Sequence, residues 1–355
     1  MPKDASASRN RCVAATLGVT LLALACAPAA PTRDGMSFVS SAGAALASSA
    51  TPASYVESPT FSLALDRIDQ HRLPLDSTYR HYGSGAGVTV YVFDGGVLAS
   101  HPELEGRVRR GYDAFPDGPA VCNAHGTAVA GAVAGTTLGV APDAEIVDVK
   151  MVDCRRMRGT IEAIVRGTRW MLADVARHPE RRAVANWSFI ADTTTNIPAL
   201  DAAVTALNDA GIPVVVAAGN LDMNACRIAP ANSPGAIVVG ASRVRRAIGS
   251  DTLLDERAPD TAYGPCIDLF APGDSVLLPS VDLTGHAVSQ LWTGTSMSAG
   301  YVSGAIALYL ESHPYATPDI VSAYLRASSA GTRVDAMRTP LAGMLYVGTS
   351  EKRSN

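Results

Sequence analysis

The sequence predicts an α/β fold, a doubly wound and mainly parallel sheet with helices on both faces, carried in a single domain. Three observations predict it. Five short runs rich in β-branched and apolar residues, at 88–93 (VTVYVF), 145–151 (EIVDVKM), 183–186 (AVAN), 213–217 (PVVVA) and 236–240 (AIVVG), read as buried strands. Longer helical patterns sit between and after them, at 125–134, 160–177, 200–210, 296–312 and 318–328, and such alternation is the signature of a parallel sheet covered on both sides. Finally, 355 residues at 47% hydrophobic and 17% charged can bury a full core, and a net charge of -4 leaves no basic excess to hold nucleic acid.

The N-terminus stands apart from this pattern. Lys3, Arg9 and Arg11 precede an apolar run at 13–25 that is too short to span a bilayer and is followed by small residues, so 1–26 reads as a secretory signal. Within it, Leu22-Ala-Leu-Ala-Cys26 resembles a bacterial lipoprotein box, which would leave Cys26 as a lipid-anchored terminus. An ordinary cut near 27–30 would free the product instead, and the pattern leaves both open. Residues 27–58 are mostly Ala, Ser, Pro, Thr and Gly and read as a linker or short pro-segment with little fixed structure, ahead of a domain at 59–348 and a tail at 349–355. Gly83-Ser-Gly-Ala-Gly87 makes no dinucleotide site, because its glycines precede the strand at 88–93 rather than follow it.

Export changes how the cysteines are read, since outside the cytoplasm an even set is bridged rather than free. Setting Cys12 and Cys26 aside leaves Cys122, Cys154, Cys226 and Cys266. Their pattern alone leaves three pairings open.

Open α/β sheets place their sites beyond the carboxyl ends of the strands. Asp94 ends the strand at 88–93 in Val92-Phe-Asp-Gly-Gly96, and Asn220 follows the strand at 213–217. His125 opens one helix in Asn123-Ala-His-Gly-Thr127, and Ser296 opens another in Gly294-Thr-Ser-Met-Ser298. Singly, each is a common turn former or cap. Together they supply an acylation chemistry, because a serine hydroxyl needs a neutral imidazole to take its proton, and the imidazole needs a buried carboxylate to fix its tautomer. The small residues Gly126, Ala128, Ala130 and Gly131 would let the first helix close on the sheet and hold His125 beside Asp94. At a helix start, backbone N–H groups would favour negative charge developing near Ser296.

The order Asp, His, Ser is that of subtilisin, and the chain resembles the subtilisin-like serine peptidases, nearest the proteinase K and aqualysin branch, from about residue 58 to 348. The resemblance implies a subtilisin-like fold, a triad of Asp94, His125 and Ser296, and an oxyanion donor at Asn220 in Val216-Ala-Ala-Gly-Asn220. It implies substrate contacts at Ser188, Phe189, Ile190, Ala217 and Gly219, and it pairs Cys122 with Cys154 and Cys226 with Cys266. It further implies a structural calcium ion held by the carbonyls of Pro234 and Ala236 and the carboxylate of Asp268, with water completing an all-oxygen shell. No organic cofactor is implied.

Several positions depart from the family pattern. Gly95 stands where the family has Thr or Ser, Ala128 where it has His, and Ala299-Gly-Tyr301 where it has Ala-Pro-His. At Asn186-Trp-Ser-Phe-Ile-Ala191 the family shows Ser-Leu-Gly-Gly, so Ile190 and Ala191 are expected to narrow the primary specificity pocket toward small residues. The expected function is an exported serine endopeptidase acting on proteins or peptides. Two alternatives are a peptide ligase or cyclase using the same acyl-enzyme, and a non-catalytic binding protein on the same scaffold. The shortness of 27–58 leaves open a separate protein acting as inhibitor or folding chaperone. Arg246 and Arg257 are expected on the solvated surface.

Overall fold

All five strands and all five helices expected from the sequence form, the largest difference being the run at 236–240, which continues as a strand to Arg246. The structure, a computed structural model, describes residues 54–191, 196–247, 249–282, 284–331, 334, 338–339 and 342–348. The expected signal at 1–26 with Cys12 and Cys26, residues 27–53 of the expected linker, and the tail at 349–355 lie outside the described residues.

The chain opens with β1 (Tyr55–Pro59), α1 (Leu63–Ile68), β2 (Thr78–Tyr82), β3 (Val88–Asp94), β4 (Val108–Asp113) and α2 (His125–Ala134). It continues with β5 (Glu145–Lys150), the short pair β6 (Val152–Asp153) and β7 (Arg158–Gly159), then α3 (Ile161–Arg177), β8 (Arg182–Trp187), α4 (Pro198–Asp209) and β9 (Val214–Ala217). The remainder is β10 (Ile237–Arg246), β11 (Leu253–Arg257), β12 (Leu269–Pro272), β13 (Val276–Val281), β14 (Ala287–Trp292), α5 (Thr295–Ser312), α6 (Pro318–Ser329) and β15 (Gly343–Met344).

One sheet dominates, with strand order β15-β12-β10-β9-β8-β3-β5-β4 and β11 paired antiparallel to β10; the other pairings within it are parallel. The order reverses at β3, which has β5 on one side and β8 on the other. That is the switch point at which such sheets open a crevice. Every residue of β3 is buried, and its side chains divide by the two-residue period. Val90 and Val92 join the core formed with α2 and α5, while Tyr91 and Phe93 join the core formed with α3 and α4.

Helix α5 is buried around most of its circumference and crosses the sheet against α2. The approach depends on absent side chains: a Cβ on Gly300 would lie 2.9 Å from the Ala132 Cβ, and one on Gly304 would lie 2.7 Å from the Val140 Cβ. Gly300 is the position where the family's proline is missing; it lies in the second turn of α5, and its lack of a side chain permits the close packing on α2.

The expectation of little fixed structure up to residue 58 is corrected by β1, which pairs antiparallel with β2 from Tyr55↔Tyr82 to Pro59↔Thr78. Its signal was weak because an edge strand with one half-buried face carries little apolar alternation. Helix α1 places Arg67 fully inside, where its guanidinium donates to both carboxylate oxygens of Asp255 on β11 at 2.6 and 2.7 Å and to the Gln70 carbonyl at 2.6 Å. Arg246 is exposed as expected. Arg257 is not: its side chain is 11% exposed, pairs with Asp222 and lies 5.7 Å over the Tyr263 ring.

Both disulfides form as the resemblance implied, Cys122–Cys154 and Cys226–Cys266. The first ties the loop before α2 to the turn after β6. Among the described residues no helix is long and apolar enough to cross a membrane.

Candidate active site

Three elements converge at the carboxyl end of the sheet. Strand β3 ends in Asp94, α2 begins with His125, and the junction is close because residue 126 has no side chain: a Cβ on Gly126 would sit 2.6 Å from the Gly96 carbonyl and 3.0 Å from the Asp94 Cβ. The result is a 2.7 Å hydrogen bond between His125 Nδ1 and Asp94 Oδ2. The other Asp94 oxygen accepts the Gly95 N–H at 2.7 Å. Gly95 thus contributes its backbone where the family offers a hydroxyl, and its vacant Cβ position lies 3.4 Å from the Cys122 Cβ, so the disulfide packs against the loop that holds Asp94.

Asp94 is buried, whereas the His125 side chain remains 31% exposed on its outer edge. Burial opposes the charged imidazole, but the Asp94 charge and hydrogen bond outweigh that cost and raise the His125 pKa above its ordinary 6.5. The Trp292 ring stands edge-on to the imidazole with centroids 6.2 Å apart and closes one side of the site.

Ser296 is the second residue of α5, capped by Gly294. Its hydroxyl donates to the Ser188 carbonyl at 3.2 Å, and the Ser188 hydroxyl returns a bond to the Ser296 carbonyl at 3.1 Å. Behind this pair, Asn186 Nδ2 donates to the Ser188 hydroxyl at 2.8 Å and Ser303 donates to Asn186 Oδ1 at 2.9 Å. A buried polar chain therefore locks the end of β8 to α5.

The Asn220 side chain is oriented by the residue before Ser296. Its Oδ1 accepts the Thr295 N–H at 2.9 Å and the Thr295 hydroxyl at 3.0 Å, and the same hydroxyl accepts the Gly219 N–H at 3.1 Å. With the oxygen so engaged, the amide NH₂ is the end left to face a ligand. Thr295 had been visible in the Gly-Thr-Ser motif, but only the folded chain gives it this task.

The substrate positions implied by resemblance also gather here. Ala217 ends β9, Gly219 follows with φ of 104°, and Ser188, Phe189 and Ile190 leave the end of β8. Phe189 stacks on Trp187 with centroids 5.6 Å apart. The Ile190 side chain, 41% exposed, lies against this strip: its Cγ2 is 3.4 Å from where a Gly219 side chain would begin. Beside it a cavity of about 520 Å³ is lined by Met151, Met157, Ile161, Ile164, Phe189 and Ile190.

Of the implied calcium ligands, the Asp268 carboxylate is already engaged by protein donors. Both Asp268 oxygens are taken, Oδ2 by the Val238 N–H at 2.8 Å and Oδ1 by the Arg326 guanidinium at 2.9 Å. A calcium ion needs six to eight oxygens at about 2.3–2.6 Å, and the only carboxylate of the expected set already faces the guanidinium of Arg326, a side chain 58% exposed to solvent.

Comparison with known proteins shows the family. Residues 85–343 match the family model described as Subtilase family. The chain is 42% identical over 272 residues to an extracellular serine proteinase of Thermus sp. (strain Rt41A), covering 76% of this chain and 62% of that protein. It is 35% identical over 285 residues to alkaline serine exoprotease A of Vibrio alginolyticus, covering 79% of this chain and 49% of that one. The chain therefore spans about half to three fifths of the length of these relatives. A cold adapted subtilisin-like serine proteinase, known as a crystal structure, superposes with a TM-score of 0.69 at 34% identity, covering 81% of this chain and 98% of that one.

Proposed function

Because the chain belongs to the subtilase family, we propose that it is an exported serine endopeptidase that cleaves protein or peptide substrates through an acyl-enzyme on Ser296. The observation that carries this reading is the 2.7 Å bond between buried Asp94 and His125 Nδ1. It commits Nδ1 to the carboxylate and leaves Nε2 as the basic nitrogen.

In the reaction Ser296 turns from the Ser188 carbonyl toward His125 and attacks the scissile carbonyl as its proton passes to the imidazole. Asp94 stabilises the imidazolium that forms, and His125 returns the proton to the leaving amine. The developing oxyanion is met by the Asn220 NH₂ group and the Ser296 N–H at the start of α5. Water then attacks the acyl-enzyme by the same base, which releases the serine.

The substrate preference belongs to the same proposal. Ile190 over Gly219 narrows the pocket for the side chain preceding the scissile bond and favours small residues there. Cleavage of a peptide library tests it, and a strong preference for bulky aromatic residues at that position would sink it. Export rests on the signal-like pattern at 1–26 and on a relative whose name calls it extracellular.

The direct test is labelling of the purified protein by a serine-directed fluorophosphonate beside Ser296→Ala. Labelling lost only in the variant supports an activated nucleophile, and mass analysis of products separates hydrolysis from transfer. A folded protein that takes no label contradicts the proposal.

A further inference from the structure

Asp268 immediately precedes β12, at the edge where β12 meets β10. Its backbone N–H donates to the Val238 carbonyl at 3.0 Å, and its Oδ2 accepts the Val238 N–H at 2.8 Å, so this carboxylate is fixed to the start of β10 before any cation is considered. Its side chain is 14% exposed. A carboxylate so enclosed is costly unless a positive charge compensates it.

That charge comes from α6. Arg326 reaches across with Nη1 2.9 Å from Asp268 Oδ1, while its Nη2 donates to Ser322 one turn back at 2.6 Å. The Ser322 bond orients the guanidinium plane, and the buried Val321 and Leu325 beside it hold α6 against the rest of the fold. A divalent ion at bonding distance from Oδ1 would share that oxygen with the guanidinium, placing two cations in near contact.

We propose that Arg326 is the built-in cation of this site: its guanidinium does for Asp268 what a divalent ion would do, joining α6 to the β10–β12 edge with no metal. The inference is independent of the catalytic reading, because it concerns folding and not turnover. Stability at this place should not depend on calcium.

The test is thermal unfolding of the purified protein in a Ser296→Ala background, which removes self-cleavage from the measurement. Unfolding temperatures are taken in excess EDTA and in millimolar calcium chloride. The expected result is a calcium response in the parent that Asp268→Asn leaves unchanged, whether that response is zero or arises elsewhere. Arg326→Gln should lower the unfolding temperature by a few degrees in EDTA, and Arg326→Lys should recover part of the loss. A calcium-induced rise in the parent that Asp268→Asn abolishes would overturn the proposal, as would an Arg326→Gln variant that unfolds with the parent. Should Arg326→Gln fail to fold, the comparison of parent with Asp268→Asn still decides.

Discussion

Replacing Thr295 by valine tests whether the hydroxyl beside the nucleophile orients the oxyanion donor. Valine keeps the β-branched shape in a site where Thr295 is 1% exposed, so the change removes hydrogen bonds and little volume. Two bonds are lost: the one donated to Asn220 Oδ1 at 3.0 Å and the one accepted from the Gly219 N–H at 3.1 Å. The stranded buried N–H costs about 1–3 kcal/mol of stability and the other bond about 1 kcal/mol. An unfolding temperature lower by roughly 4–8 °C should result.

The catalytic effect has a ceiling. Deleting an oxyanion donor outright costs about 10²–10³ in kcat. In Thr295→Val the Asn220 amide keeps its bond from the Thr295 N–H at 2.9 Å, so it is loosened rather than removed. A loss of about tenfold in kcat, near 1.4 kcal/mol, is expected with KM little changed. Steady-state kinetics on a peptide amide would measure it, with Thr295→Ser restoring the rate and with no added loss when Asn220 is already alanine. A variant that melts lower but turns over at the parent rate would refute the reasoning and leave the hydroxyl a purely structural group.

Other consequences follow from particular groups. Since the base must be neutral and Asp94 raises the His125 pKa, kcat/KM should climb with pH through a midpoint above 6.5; Asp94→Asn should cut kcat by about 10⁴, and a parent midpoint below 6.5 in the pH profile would contradict the assignment. Ile190→Gly uncovers Gly219, so a peptide library should show aromatic residues newly accepted before the scissile bond; an unchanged profile would place the selectivity elsewhere. Asp148 lies buried on β5 with its carboxyl pushed up to about 7 by burial, against the opposing pull of the Val97 N–H and of Arg110. In the folded state it therefore holds a proton that the unfolded chain releases near pH 4, so stability is lost as pH rises from about 4 to about 7. Asp148→Asn should flatten that fall in a pH series of chemical denaturation, and an unaltered slope would argue against it. Asp255→Asn strips the buried Arg67 of its counter-charge, and a loss of about 3–5 kcal/mol is expected by the same denaturation.

Much of this protein is written in its sequence, and the reason is locality. The parallel strands are legible because a strand buried on both faces is a continuous apolar run, as VTVYVFD is in β3. The long helices are legible from period, and the residues of the proposed triad from motifs a few residues long set at element boundaries. What the sequence could not display depends on contacts between distant segments. Strand β1 exists through its pairing with β2, and Arg67 is interior because Asp255, 188 residues away, meets it there.

The same division runs through the site itself. His125 and Asp94 are 31 residues apart, and their bond awaits the closure of α2 over Gly126. Thr295 acquires its role from Asn220 across 75 residues. Asp268 shows the limit most clearly. The family resemblance implied a metal ligand here, yet the tertiary structure brings Arg326 to it from 58 residues away. A local pattern can supply a carboxylate, but which cation answers it is set by the charge that the fold packs alongside.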